Sequence, residues 1–270
     1  MISVIVAVYK DAQSLGLILE ALQKQSSKDF EIIVAEDCSS NEIKSCLEKY
    51  THLNIKHTSQ EDSGWRKNAS LNNAIRVAEG DLLVFIDGDC IPNIDFVKEY
   101  GRHQEENTVL CGRRIELGPV YSTRLRQGET DIVKIQNHYI LNYFSMMKDK
   151  TRHYEEGLHL PDFLYHLKHD NKKASLIGCN FAVNKKDLVE INGFNEDYTT
   201  PSVGEDTDIE FRLRLKGCAF KRIRNKSFVF HLFHEETYDS LSHTTSMKVF
   251  TKVKDGNIMV CENGLNKIKS

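Results

Sequence analysis

No stretch of this chain holds the ~18 consecutive apolar residues of a membrane-spanning helix. No cysteine pair is spaced CxxC, and neither an internal repeat nor a low-complexity tract is present. The first absence predicts a chain without a membrane anchor. Ile2–Val8 is apolar, but no basic segment precedes it and Lys10 and Asp11 follow at once, so it does not read as a signal peptide. Cys38, Cys46, Cys90, Cys111, Cys179, Cys218 and Cys261 are odd in number and scattered, which argues for reduced thiols in the cytoplasm over a disulfide framework or a zinc site. An excess of one charge is also missing: 36 basic against 39 acidic side chains leave a net −3, so no whole-protein grip on nucleic acid is expected. What is present, 40% hydrophobic and 28% charged over 270 residues, is an ordinary globular composition. A chain of this length needs no disulfide or metal to fold. The chemistry has to come from position.

Apolar runs and amphipathic stretches alternate through the first half. Ile2–Val8 is a β-branched run short enough for a buried strand. Leu15, Ile18, Leu19 and Leu22 then recur on one helical face within 11–25. Further strands are expected at 30–35, 54–57, 82–86 and Thr108–Cys111, with 82–86 central because it is apolar without alternation. Helices are expected at 40–50, at 65–78 and, opened by Pro92, at 94–103. This order predicts an α/β fold with a mostly parallel, doubly wound, Rossmann-like sheet and helices on both faces. Ligands bind such sheets outside the carboxyl ends of the strands. Residues 113–173 loosen into charged, helical-looking segments rich in His and Tyr, which read as an insertion and not a second domain. Order resumes at 175–183, in a helix over Glu205–Lys216 closed by Gly217, and in a last strand at 226–230; from Tyr238 the chain is polar, with modest structure expected.

Acidic groups fall where strands end. Glu36-Asp37 closes the second strand, Asp87-Gly88-Asp89 the central one, and Glu205-Asp206 opens the late helix. In extended chain the two aspartates flanking Gly88 point the same way, and Gly88 lets a ligand approach the backbone. Converging carboxylates repel unless a cation lies between them, and Mg²⁺ or Mn²⁺ with substrate phosphates would fit. His231 and His234 follow the last strand, either as a hydrogen-bonded or exposed pair or with one completing a metal shell around Asp89. The acids of 205–210 complement the helix dipole, as Arg212, Arg214 and Lys216 do at its other end, and a carboxylate there can equally serve as a general base. Trp65-Arg66-Lys67 after Gly64 offers either a cationic, aromatic contact for a nucleotide diphosphate or a plain exposed helix start.

Taken in order, these segments resemble the family 2 glycosyltransferases of GT-A fold. Val4–Lys10, Ala35–Ser40, 62–66 with Asn72-Asn73, Gly80-Asp81 into Asp87–Pro92, Gly178–Asn180, Asn192–Glu196, Gly204–Asp208 and His231–His234 carry the likeness. The late segments are most similar to the galactosyltransferase and chondroitin-polymerase branches. Departures are Ala7 for the usual proline, Glu36 for the first aspartate, Cys38 for a glycine, Leu71 for an arginine, and 199–203 for a tryptophan-glycine run. The resemblance implies that Ala7, Tyr9 and Asp37 receive the nucleotide base and that Arg66 and Lys67 meet the diphosphate or ribose. It implies that Asp87 beside Gly88 holds the ribose or the metal's water shell, and that Asp89 binds the metal with His231 or His234. Asp206 would be the general base, and Glu205 would bind acceptor or donor sugar.

The expected reaction is a metal-dependent, inverting transfer of Gal, GalNAc, GlcNAc or Glc from a UDP-sugar to a glycan or lipid-linked acceptor, in cell-surface polysaccharide synthesis. The expected domain spans 1–240: a nucleotide half at 1–112, an acceptor-side insertion at 113–174 and a catalytic half at 175–240. Residues 241–270 form a tail. Without an anchor, the chain would meet its acceptor in the cytoplasm, or at the inner membrane face through a partner or surface patch. Two other readings compete. A haloacid-dehalogenase-type phosphatase also uses Asp-x-Asp after a strand, but here the motif follows several strands and Ile91 stands where threonine or valine is usual. A nucleotide-sugar-binding module without turnover is the other.

Overall fold

The β-branched opening run forms β1 (Ile2–Val8), buried at every position but Ala7. In the computed structural model, which describes all residues except 159, 161, 164, 166–172, 202–204, 236–239 and 269–270, β1 lies inside a seven-stranded sheet. It pairs in parallel with β2 (Phe30–Glu36) on one side and β4 (Leu82–Asp87) on the other. The strand β3 (Ile55–Ser59) extends the sheet beyond β2. On the far side of β4 comes β8 (Asn180–Asn184), antiparallel to it, then β6 (Thr108–Cys111), and last β9 (Ala219–Arg222), parallel to β6. The sheet is thus mostly parallel, as its sequence predicts, with β8 reversed. A second, three-stranded sheet sets β10 (Phe228–His231) between β5 (Cys90–Pro92) and β7 (Arg113–Glu116).

Successive side chains of a strand face opposite sides, so a strand covered on both faces reads as unbroken apolar sequence. Val4, Val6 and Val8 join Leu15, Ile18 and Leu22 of α1 (Ala12–Gln23) in one core layer. Ile5 joins Ile33, Leu71, Ile75 and Phe85 in the other, under α3 (Lys67–Val77). Caps set where helices begin: the Asp11 carboxylate accepts the Ser14 N–H at 2.9 Å, and the Ser40 hydroxyl accepts the Ile43 N–H, starting α2 (Asn41–Leu47).

Several boundaries differ from expectation. Pro92 ends β5 instead of opening a helix, because its segment pairs with β10; α4 begins only at Phe96 (Phe96–His103). Residues 113–157 contain β7 and three short helices, α5 (Pro119–Arg126), α6 (Ile132–Asn137) and α7 (Tyr143–Lys148). Leu117, Tyr121, Ile132, Ile135, Tyr139 and Met146 share the core layer of β1 and α1, so this stretch completes the main core and has none of its own. After β8 comes α8 (Lys185–Glu190), and α9 (Glu205–Lys216) starts and stops where its sequence predicts.

The last segment departs most. In place of modest structure, α10 (Ser240–Asp255) runs for 16 residues and sets Phe250 edge-on to Phe211 of α9 at 6.0 Å. The chain then returns to the turn at Asn192-Gly193, whose φ values of 64° and 71° lie in the left-handed region. Asn192 Nδ2 donates to the carbonyls of Cys261 (2.7 Å) and Asn266 (2.9 Å), while the Asn266 N–H donates back to Asn192 Oδ1 at 2.8 Å. Among the described residues, no helix is long and apolar enough to cross a membrane.

Candidate active site

The carboxyl ends of β1, β2 and β4 open into a cavity of about 500 Å³. Ala7, Tyr9, Asp37, Lys67, Asp87, Gly88, Asp89 and His234, all singled out in the sequence, line it together with Trp65, Ser70, Arg126 and Pro201. A larger hollow of about 700 Å³ behind α1 shares only Arg126 with it and brings together none of the candidate site residues.

Each acid has a distinct place. Glu36 is fully buried and accepts from the Ser40 N–H at 2.7 Å, the Cys38 thiol at 3.2 Å and His57 Nε2 at 2.7 Å, so it fixes the turn after β2. Asp37 accepts from Gln60 Nε2 at 2.6 Å and from the Arg66 N–H at 2.7 Å, drawing the 60–66 loop over the cavity wall. The Arg66 guanidinium itself turns to the Glu61 carbonyl, leaving Trp65 and Lys67 on the cavity side. Lys67 Nζ sits 2.7 Å from Asp87 Oδ1. At Gly88, a β-carbon would stand 2.7 Å from the Ala7 carbonyl oxygen, so only glycine lets the turn after β4 pack this close to β1.

Asp89 faces both histidines: its Oδ2 lies 3.4 Å from Nε2 of His231 and 3.4 Å from Nε2 of His234. The Leu232 N–H donates to the Asp89 carbonyl at 2.9 Å, and His231 pairs with Cys90 across the β10–β5 ladder. Backbone pairing therefore sets carboxylate and imidazoles face to face. Burial alone would raise the Asp89 carboxyl, but the His234 hydrogen bond and the His231 charge prevail and hold it at about 2. The same bond lifts His234 to about 9, whereas burial lowers the more enclosed His231. Donor atoms of Asp89, Cys90 and His231 all lie within 4.8 Å of one another. Burial pushes the Cys90 thiol well above its usual range, and a soft sulfur donor suits Mn²⁺ or Mg²⁺ less well than oxygen or imidazole nitrogen. A carboxylate beside an imidazole is a donor set that fits Mn²⁺.

Asp206, in the first turn of α9, lies in a small recess next to the cavity, shared with Ala7, Lys67, Asp87 and Gly178. Its Oδ2 accepts the Gly178 N–H at 2.8 Å. Burial pushes its carboxyl above the usual carboxylate range against the opposing Lys67 cation, and the Asp87 charge adds to the rise. The side chain of Glu205, the other expected site acid of this helix, lies outside the described residues, as do 202–204.

The supports of α9 were not visible in the sequence. Arg212 reads there as a dipole-complementing charge near the helix end, yet it is 0% exposed. It pairs with Asp208 at 2.7 Å and donates to the carbonyls of Ile191 and Gly193, each at 2.9 Å. Asn72 gives a motif residue its job: Nδ2 donates to the Phe194 carbonyl and Oδ1 accepts the Phe194 N–H, both at 2.9 Å. Helix α3, the Asn192–Glu196 loop and α9 are thereby locked together, which fixes Asp206 relative to Lys67.

The glycosyl transferase family 2 model matches residues 3–191, and the model described as the N-terminal domain of galactosyltransferase matches 158–235. Chondroitin synthase of Escherichia coli is 27% identical over 234 residues, covering 82% of this chain and 33% of that one. Validoxylamine A glucosyltransferase of Streptomyces hygroscopicus subsp. jinggangensis (strain 5008) is 23% identical, covering 89% of this chain and 57% of its own. The chain thus spans between a third and somewhat over half of these relatives. Staphylococcus aureus TarS 1–349 in complex with UDP-GlcNAc superposes with a TM-score of 0.60 at 18% identity, over 93% of this chain and 64% of that one. GalNAc-T7 with UDP, GalNAc and Mn²⁺ superposes with a TM-score of 0.61 at 12% identity, over 94% and 48%.

Proposed function

The chain belongs to glycosyl transferase family 2, and we propose that it moves a hexosyl or N-acetylhexosaminyl group from a UDP-sugar to a hydroxyl of a glycan or lipid-linked acceptor, with inversion at the anomeric carbon. The observation that carries this reading is the division of one site into two ends. Asp89 and His231 face each other at one end, and the half-buried Asp206 stands at the other, with Lys67 and Asp87 between.

Ala7, Tyr9 and Asp37 form the wall that receives the base, and Trp65 adds an aromatic face. Arg66 serves here through its backbone N–H, which fixes Asp37. Lys67 supplies a fixed positive charge near the diphosphate and ribose, held in place by Asp87. Mn²⁺ or Mg²⁺ held by Asp89 and His231 would supply Lewis-acid neutralisation of the departing diphosphate. His234, more exposed, stays a hydrogen-bond partner of Asp89. Asp206 accepts the proton of the acceptor hydroxyl as that oxygen attacks, and a carboxyl raised by burial is a better proton acceptor than an ordinary aspartate. A base opposite the leaving group favours direct displacement, hence inversion. We place acceptor choice in 113–174, which borders the cavity through Arg126.

The names of the relatives support this reading. A chondroitin synthase is among them, and TarS, a poly(ribitol-phosphate) β-N-acetylglucosaminyltransferase, has a structure with UDP-GlcNAc. The phosphatase alternative loses its ground with the family match. The test is UDP release from a panel of UDP-sugars with Mn²⁺, with product stereochemistry read by NMR. Release unaffected by both Asp89→Ala and Asp206→Asn would defeat the assignment, and nucleotide binding without release over many acceptors would leave a binding module.

A further inference from the structure

The insertion carries an apolar surface none of whose side chains lines the cavity. Ile140, Leu141 and Phe144 are 76%, 79% and 77% exposed, and Met147, on the same short segment, is also exposed. Bulky side chains presented together to water mark contact surfaces, not ordinary scatter. Their neighbour Met146 is fully buried, so the segment is seated on the core while its outer side faces away.

The charge around this surface is one-sided. No acidic residue occurs from 132 to 148, and residues 119–152 carry six basic and three acidic side chains in a chain whose net charge is −3. Of those three acids, Asp149 is buried, its carboxylate accepting the N–H groups of Val120 and Tyr121, while Glu129 and Asp131 are drawn to Arg124 and Lys134. Lys148 and Lys150 are exposed beside the apolar side chains.

We infer that Ile140, Leu141, Phe144 and Met147 form a docking surface for an anionic lipid bilayer. The apolar side chains enter the boundary between headgroups and acyl chains, and Lys148 and Lys150 meet the phosphates. Residues 211–227 are more basic still, but six of their seven cations, Arg212, Arg214, Lys216, Lys221, Arg224 and Lys226, are paired with carboxylates, so the insertion face is the one where basic charge lies beside exposed apolar side chains. The surface is also tied to the active site. Tyr143 meets Tyr154 edge-on at 5.0 Å, Tyr154 stacks on Tyr139 at 4.2 Å, and Tyr139 meets Phe230 at 6.2 Å, one residue before His231. Docking would therefore hold the cavity at a fixed attitude to the bilayer. The inference is independent of which sugar is transferred.

Co-sedimentation with vesicles tests it. The protein should pellet with phosphatidylcholine–phosphatidylglycerol vesicles, much less with phosphatidylcholine alone, and should be released by salt. Leu141→Ser/Phe144→Ser should partition roughly a hundredfold less, since two buried side chains are removed from the contact. Lys148→Glu/Lys150→Glu should lose the preference for anionic vesicles. Both substitutions lie on exposed residues, and an unchanged melting temperature would show that the fold persists. Wild-type protein remaining in the supernatant, or equal pelleting of the Leu141/Phe144 variant, would overturn the inference. Dimerisation that this variant abolishes, seen by analytical ultracentrifugation without vesicle binding, would also overturn it and give the face to a second copy of the chain.

Discussion

The N–H of Gly178 donates to Asp206 Oδ2 at 2.8 Å, and a β-carbon on residue 178 would overlap the other oxygen of the same carboxylate. The turn before β8 therefore both orients the proposed base and leaves room for it. Gly178→Ala should swing the carboxylate away and lower kcat by about a hundredfold, within the usual range of a general base. Its melting temperature should change little, because the residue that must move is a single side chain. A steady-state assay of UDP release beside a thermal melt checks both halves.

Activity should show an acid limb set by Asp206. A base acts only when ionised, and burial raises this carboxyl above the ordinary aspartate value of about 4. The rate should therefore fall as pH drops through that raised value. Lys67 opposes the rise, so Lys67→Met should shift the limb further toward neutral pH. The pH profile of kcat for the two proteins is the measurement, and an unmoved limb would assign it to another group.

The same shift has a stability consequence of opposite sense. With its folded pKa above its unfolded one, ionised Asp206 destabilises the native state at neutral pH, and acidification through the folded pKa relieves this. Asp206→Asn should consequently melt at a higher temperature near neutral pH while losing about 10²–10⁴-fold in rate. Melting curves at several pH values should show the gain shrinking in acid.

Chelation should abolish turnover and Mn²⁺ restore it. His231→Ala should raise the Mn²⁺ concentration needed by at least about tenfold, and His234→Ala by less, since His234 is the more exposed of the two. Titrating UDP release against Mn²⁺ distinguishes them; the reverse order would make His234 the ligand.

Arg212→Ala should destabilise the fold by about 3–5 kcal/mol, because Asp208 would be left buried with its charge uncompensated. Urea unfolding measures it. Arg212→Lys should rescue only in part, as an ammonium cannot reproduce the guanidinium's planar set of donors to Asp208 and the two carbonyls.

Much of this site was legible because its signals are local. β1 and β4 are buried on both faces, so their unbroken apolar runs announce strands, and Asp87-Gly88-Asp89 directly follows one of them. What stayed hidden depends on partners far along the chain. Arg212 looks like any basic residue near a helix end until the carbonyls of 191 and 193 are in place. Pro92 resembles a helix opener because its pairing partner, Val229, is distant in sequence. The helix α10 is polar over most of its length, and among its described side chains only Ser246 and Val253 are buried. β9, with Lys221 and Arg222 at the sheet edge, lacks the apolar pattern of the central strands.

The return of residues 261–266 to Asn192 bears on the order of assembly during synthesis. The parallel strands β1, β2 and β4 can pair once residue 87 has emerged from the ribosome, so the cavity wall at their carboxyl ends can form early. The turn that anchors Arg212, and through it the helix of Asp206, receives its last hydrogen bonds only when Asn266 is out. A nascent chain can thus form the proposed nucleotide wall well before the proposed general base, Asp206, is fully braced.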